Sequence, residues 1–178
     1  MASYSIKLCD HTGPSNNLQS SIQGELQGFF TRVFTGTSDT ATVTWGTGSA
    51  ADAIVVHFVL SRDPGSYIVQ WLGKKKLDDI KYYAGGHTTD HHHVICSEVY
   101  QTVVLKAPRS GTKTLSAREY AKLAFHECLH NVFPGWQESD LMGHGGLADS
   151  PLGADLNQWD IDTMRRGIAI NSIGAQKL

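Results

Sequence analysis

The stretch from Ser116 to Gly135 constrains the fold of this 178-residue chain more than any other. Ser116 precedes Glu119 by three positions, the spacing of a capping box, in which a hydroxyl and a carboxylate satisfy backbone donors at a helix start. Apolar residues then recur at intervals of three and four until Pro134 and Gly135 interrupt them. The sequence therefore predicts an amphipathic helix whose apolar side must be covered by other elements.

The last two turns of this helix contain the motif HExxH, as HECLH. His126 and His130 are four residues apart, so they project from one helix face and can bind one cation. Glu127 is placed to act as general base toward a water molecule that zinc has made more acidic. The alternative is a chance match to a short motif on a partly exposed helix face. The capped, amphipathic helix is the context that the motif needs, and it favours a zinc site.

The other segments alternate between strand and helix patterns and predict an α/β fold, in the broader sense that includes α+β. Strands are predicted over 3–9, 40–45 and 51–60, the last two as a pair joined by the turn GTGS. Helices are predicted over 15–34 and from about Asn157, where Asp160 repeats the capping arrangement. The residues between 61 and 107 are predicted as a strand at SYIVQWL, a glycine-hinged loop at YAGGHTTDHHH, and one long or two short strands at HVICSEVYQTVVLKA.

The composition favours a folded domain and argues against some classes of function. Hydrophobic residues make up 40% and charged residues 18%, and the formal net charge is −2, which is typical of a folded domain and unlike a nucleic-acid-binding surface. The three cysteines have unrelated spacings, so we expect buried thiols and no disulfide framework. No segment has the pattern of a signal peptide or a membrane span. We expect one soluble domain over 1–178, a monomer, with no membrane or nucleic-acid partner.

Three successive segments resemble the metzincin zinc peptidases, and within them the matrixin-like branch. They are HECLHN at 126–131, SDLMG at 139–143 and DLNQWDIDTMRRGI at 155–168. The resemblance implies a mixed sheet packed on two helices, a tight turn with Met142 beneath the metal, and a third, C-terminal helix. The alternative for Met142 is an ordinary packing residue below the motif helix.

The chain departs from the family pattern HExxHxxGxxH, whose last two fixed positions fall on Phe133 and Trp136. Trp136 cannot bind zinc, so either the metal is absent or another side chain replaces the standard third ligand. Glu138, Asp140 and His144 are within reach along the chain. His144 is preferred because some metzincins bring the residue two after the turn methionine close to the zinc, and Asp140 is the second choice. The alternative for His144 is a solvated loop residue.

The resemblance implies a zinc-dependent endopeptidase, with Zn²⁺ as cofactor, a protein or peptide as substrate and Glu127 as general base. The alternatives are a non-catalytic metal-binding or interaction module on the same fold, and a zinc amidase acting on a non-peptide amide. His57 is predicted to be a core or sheet-face histidine, since no second ligand lies at strand spacing. The cluster HTTDHHH at 87–93 loosely resembles a structural zinc loop of matrixins, but its spacing favours a solvated polar loop.

Overall fold

The computed structural model describes residues 1–12, 18–61, 66–73, 85–91, 94–104, 111–171 and 176–177. Its helices are, in chain order, α1 (Gln19–Phe34), α2 (Tyr67–Leu72), α3 (Ala117–Val132), α4 (Glu138–Leu141), α5 (Gly146–Asp149) and α6 (Gln158–Asn171). Its strands are β1 (Ser3–Asp10), β2 (Thr40–Trp45), β3 (Ile54–Val59), β4 (Gly86–His91), β5 (Val94–Tyr100), β6 (Thr102–Val104), β7 (Thr112–Thr114) and β8 (Gln176–Lys177). The chain therefore has the mixed α/β architecture that the sequence predicts.

The main sheet has the strand order β2-β1-β3-β5-β4, and β8 also pairs with β5. β1, β2, β3 and β5 run parallel, whereas β4 is antiparallel to β5 and lies at the end of this order. β3 is central, and all six of its residues are buried, as expected of a parallel strand covered on both faces. β6 and β7 form a separate hairpin. The sheet is mixed, as predicted.

The motif helix α3 is held in the main hydrophobic core. Helix α1 contacts β2, helix α3 contacts β4 and β5, and the two helices contact each other. Phe125, next to the motif, packs against Phe29 and Phe30 with ring centroids 5.9 and 5.6 Å apart. Burying one such aromatic side chain contributes about 1.5–3 kcal/mol. The histidines of the motif therefore stand on a helix whose position the core fixes.

The capping predictions for α3 and α6 are confirmed. The hydroxyl of Ser116 accepts from the backbone N–H of Glu119, and the Glu119 carboxylate accepts from the backbone of Ser116. At the start of α6, the Asn157 side chain accepts from the Asp160 N–H, while the Asp160 carboxylate accepts from Asn157. Helix α1 ends at Phe34, as predicted, and the expected start over 15–17 lies outside the described residues.

Three local predictions are wrong. β2 and β3 do not pair with each other, because β1 lies between them and pairs with both. A hairpin and a return past an intervening strand have the same turn signals, so sequence cannot separate them. The segment 67–72, within the predicted strand SYIVQWL, is a helix. The Ser66 hydroxyl accepts from the Val69 N–H, and the buried Glu98 carboxylate accepts from two further N–H groups at the helix start.

The third difference concerns the histidine cluster, whose first part forms strand β4 rather than a solvated loop. Residues 86–91 pair in antiparallel register with β5, from Gly86 opposite Val99 to His91 opposite Val94. The β-branched residues Thr88 and Thr89 suit a strand, but the segment is too polar for a buried-strand pattern. Residues 92 and 93 lie outside the described residues.

Two further predictions concern single residue types. Cys9, Cys96 and Cys128 are buried and free, which confirms the expectation of buried thiols. His57 is 4% exposed, and its Nδ1 atom lies 2.8 Å from Nε2 of His11, so the prediction of a sheet histidine is confirmed. Among the helices described, none has the length and apolar character needed to cross a membrane.

Candidate metal centre

The two motif histidines and a glutamate from the next helix converge on one point. The Nε2 atoms of His126 and His130 each lie 3.5 Å from Oε2 of Glu138. Potential ligand atoms of the three residues all lie within 4.8 Å of one another. The side chains of His126 and His130 are 6% and 11% exposed, whereas that of Glu138 is 41% exposed. This group could hold a metal ion, with one side open to solvent.

Glu138 reaches the histidines because the chain turns sharply after α3. Gly135 adopts φ = 85°, a left-handed conformation that strongly favours glycine. The short helix α4 follows, with Glu138 as its first residue, and Leu141 at its end is fully buried. Burial of Leu141 fixes the direction of α4 and thereby places the Glu138 carboxylate over the end of α3.

Backbone carbonyls orient both imidazole rings. Nδ1 of His126 lies 3.0 Å from the Leu147 carbonyl oxygen, and Nδ1 of His130 lies 3.3 Å from that of Trp136. A carbonyl can only accept, so each Nδ1 donates a proton. The remaining nitrogen, Nε2, can donate to Glu138 when the ring is charged and offers its lone pair to a metal ion when the ring is neutral. Such contacts on the far nitrogen are typical of metal-binding histidines.

The charged side chains of this group shift the pKa values of Glu138 and His126. Hydrogen bonding to His126 and His130 holds the pKa of the Glu138 carboxyl far below its usual range. Burial of His126 lowers its pKa, but Glu138, Glu127 and the Leu147 carbonyl outweigh that effect and leave the pKa raised. An ionised carboxylate facing two imidazole nitrogens is a donor set that suits a divalent transition-metal ion.

Glu127 is held between α3 and the edge strand β4. Its side chain is almost completely buried, with the residue 3% exposed, and Oε2 accepts a 2.7 Å hydrogen bond from the Thr88 hydroxyl. Gly86 packs directly against it, because a Cβ atom at Gly86 would lie 2.7 Å from Oε1 of Glu127. Glu127 also raises the pKa of His126, so its carboxylate acts electrostatically on the metal group.

The two residues preferred as third ligand lie elsewhere. His144 is exposed and stacks on Trp159, with ring centroids 4.1 Å apart and planes at 5°. The Asp140 carboxylate accepts from the Gln137 N–H at 2.6 Å and caps α4. Neither belongs to the convergent group found among the described residues. The geometry brings Glu138 to the histidines in their place.

Met142 does not occupy the place that the metzincin resemblance implies. The residue is 58% exposed, so it does not pack beneath the histidines. Gly143, Gly145 and Gly146 follow with φ of 84°, 67° and 67°, and they redirect the chain so that Leu147 is fully buried instead. The Leu147 carbonyl then contacts His126, which gives this loop a structural role without the methionine.

A cleft of about 260 Å³ opens beside the metal group. One wall is β4, with Thr88 and Asp90, and the other is the turn after α3, with Trp136 and Gln137. His130 also lines it. The Trp136 ring packs on Phe133 at 4.0 Å between centroids, while its carbonyl contacts His130. The cleft therefore joins an edge strand directly to the candidate metal centre.

Comparison with known proteins returned no match to a family model, to a curated protein or to a solved structure. The resemblance to metzincins stays a prediction from the three sequence segments.

Proposed function

We propose that the protein is a zinc-dependent hydrolase that cleaves peptide bonds, with Glu127 as general base. The observation that carries this proposal is the convergence of His126, His130 and Glu138 next to the buried carboxylate of Glu127. A purely structural site does not require a carboxylate beside the first histidine. The exposed side of Glu138 leaves room for a substrate to approach.

The donor set fits a catalytic zinc site. Two imidazole nitrogens and one carboxylate oxygen are three protein ligands, which leave a coordination position for water or substrate. When bound, zinc would polarise the scissile carbonyl and increase the acidity of a water molecule. The Nδ1 contacts of both histidines already fix the ring orientations that such binding needs.

Glu127 would carry the proton during hydrolysis. Its carboxylate accepts a proton from the attacking water as the new C–O bond forms, and then donates that proton to the nitrogen of the leaving amine as the C–N bond breaks. The Thr88 hydroxyl, 2.7 Å from Oε2, holds the carboxylate throughout. Water and the peptide are the only reactants, and a free acid and a free amine are the products.

The edge strand and the cleft provide a place for an extended substrate. β4 is the last strand in the sheet order over the described residues. An extended peptide can add to such an edge through main-chain hydrogen bonds. The cleft between β4 and Trp136 would then receive one substrate side chain, next to His130.

A non-catalytic metal-binding module is the second candidate. The observation that favours it is the burial of Glu127, which is 3% exposed and already hydrogen-bonded to Thr88. A carboxylate with a purely structural role would have this environment. A measurement of hydrolytic activity distinguishes the hydrolase from the non-catalytic module.

The test is hydrolysis of an unfolded protein by the zinc-loaded wild type and by Glu127→Gln. We expect cleavage by the wild type and a loss of at least about a hundredfold in Glu127→Gln, the lower limit typical of general acid–base catalysis. Zinc content, measured on the same samples, should be equal in both. An inactive wild type that binds zinc would support the non-catalytic module.

A further inference from the structure

A chain of side-chain hydrogen bonds starts on α3, crosses to the sheet and returns to Glu127. The Asn131 side-chain amide donates to the Ser97 hydroxyl at 2.9 Å. The hydroxyl oxygens of Ser97 and Thr88 are 2.8 Å apart, and Thr88 lies 2.7 Å from Oε2 of Glu127. Asn131 and Glu127 are four residues apart on α3 and therefore lie on the same helix face.

The donors in this chain all point toward the Glu127 carboxylate. An ionised carboxylate can only accept, so Thr88 must give its single hydroxyl proton to Glu127. Thr88 then accepts from Ser97, which in turn accepts from the Asn131 amide. Hydrogen bonds aligned in one direction polarise and strengthen one another at low dielectric. Asn131 and Ser97 are both 0% exposed, so water does not compete for the bond between them.

We propose that Thr88, Ser97 and Asn131 are positioning residues that hold the Glu127 carboxylate in its working orientation. This inference rests on the proposed function of Glu127 as base. Thr88 also lines the cleft beside His130, so the residue that holds the base borders the space for the substrate. Gly86 on the same strand leaves space for the Glu127 carboxylate, since a Cβ atom at this position would lie 2.7 Å from Oε1.

The Glu127 carboxylate needs to be held in one orientation because glutamate has a long side chain with several rotatable bonds. A catalytic group has to be held to within about 0.5 Å of its working position, and a displacement of about 1 Å can lower a rate about a hundredfold. Removing the Thr88 hydroxyl would keep Glu127 but remove the hydrogen bond that fixes its carboxylate, so the carboxylate could rotate. The effect should therefore appear in kcat, since Thr88 acts through Glu127.

The first test compares Thr88→Val, which removes the hydroxyl at constant shape, with Thr88→Ser, which keeps it. We expect kcat to fall about ten- to a hundredfold in Thr88→Val with KM within about twofold and zinc content unchanged. Thr88→Ser should recover most of the activity. Thr42→Val, an exposed threonine on β2 at the far side of the sheet, is the control and should behave as the wild type.

The second test uses metal-free protein and needs no activity. The melting temperature should drop by about 3 to 10 °C in Thr88→Val, the range expected for losing one hydrogen bond to a buried charge in a chain of this size. In a Glu127→Met background the same substitution should cost much less, because the acceptor is gone. Equal drops in both backgrounds would show that the hydroxyl does not act on Glu127 and would overturn the inference.

The outcomes separate the inference from the proposed function. An active wild type with an equally active Thr88→Val overturns the positioning role and leaves the proposed function intact. An inactive wild type overturns the proposed function, and the positioning role falls with it whatever the melting temperatures show. A kcat loss in Thr88→Val that Thr88→Ser does not recover would also contradict the inference.

Discussion

Nε2 of His130 lies 3.5 Å from Oε2 of Glu138, a residue of the following helix. The third member of the candidate metal group is therefore contributed by α4, directly after the turn at Gly135. It does not come from His144, the residue two after Met142, which the sequence favours. The position of Glu138 decides which substitutions should affect metal binding.

Glu138→Ala should weaken zinc binding by about a hundredfold or more, because it removes one of three protein ligands. His144→Ala, the matched control, should change it less than about threefold, since His144 stacks on Trp159 away from the group. Competition with a chromogenic chelator measures both affinities. If His144→Ala lost zinc and Glu138→Ala retained it, His144 and not Glu138 would be the third ligand.

The sequence predicts the helix of the motif well because its signals are local. The capping box at Ser116 and Glu119, the apolar period and the stop at Pro134 all lie within one segment, and α3 forms over the predicted range. The two histidines follow directly from that helix. Their spacing alone places them on one face.

The choice of third ligand could not be read from the sequence because it depends on tertiary packing. Glu138, Asp140 and His144 all lie within reach of the histidines along the chain. Burial of Leu141 directs Glu138 toward them, while burial of Leu147 places its carbonyl against His126. No local pattern in the sequence indicates that these two leucines are buried whereas Met142 is exposed. The only sequence signal was an acidic residue soon after a Pro-Gly turn.

The role of Thr88 cannot be predicted from the sequence for a different reason. It lies in a polar segment that pairs through main-chain hydrogen bonds with β5, and such an edge strand lacks the alternating pattern that identifies strands from sequence. Its contact with Glu127 joins residues far apart in the chain. No local pattern in the sequence indicates that these two residues are in contact.

Gly86→Ala, a substitution on β4, should lower both the stability of the protein and its hydrolytic activity. A Cβ atom at Gly86 would lie 2.6 Å from the Glu98 carbonyl oxygen and 2.7 Å from Oε1 of Glu127. Because the first of these is backbone, we expect a loss of about 1–3 kcal/mol in the free energy of unfolding, typical of overpacking. Hydrolytic activity should fall as well, since Glu127 is displaced.

Gly28→Ala on α1 is the control for Gly86→Ala. A Cβ atom at Gly28 would meet nothing within 4 Å, and alanine is favoured over glycine in a helix by about 1 kcal/mol. This variant should be slightly more stable than the wild type and equally active. Denaturant unfolding of the two variants beside the wild type measures the difference, and a Gly86→Ala protein of unchanged stability would contradict the tight packing of β4 on α3.

Glu98 should give the protein a pH-dependent stability unrelated to the metal group. The residue is 0% exposed, and burial raises the pKa of its carboxyl even though Ser66, Tyr100 and the start of α2 donate to it. A carboxyl whose pKa is higher in the folded than in the unfolded state stabilises the fold below the unfolded pKa. That contribution is lost as the pH rises through the folded pKa.

Glu98→Gln removes this titration and tests it. The free energy of unfolding of the wild type, relative to Glu98→Gln, should increase as the pH falls from 7 toward the ordinary pKa of a glutamate. The comparison needs chemical denaturation of metal-free protein at several pH values, so that zinc binding does not contribute. A difference that is constant over this range, or that shrinks at lower pH, would contradict the raised pKa.

The cleft beside His130 should favour a basic substrate side chain over an acidic one. Asp90 is an exposed carboxylate on the β4 wall of this cleft, and exposed ion pairs contribute about 0.2–1 kcal/mol. At fixed sequence elsewhere, peptides with arginine in the position that enters the cleft should therefore show kcat/KM about two- to fivefold above those with glutamate. The preference should be weaker at high salt, because the charges are solvent-exposed. Asp90→Lys should reverse its sign, whereas Asp90→Asn should abolish it. A preference for arginine that survives Asp90→Lys would place the specificity on another part of the surface.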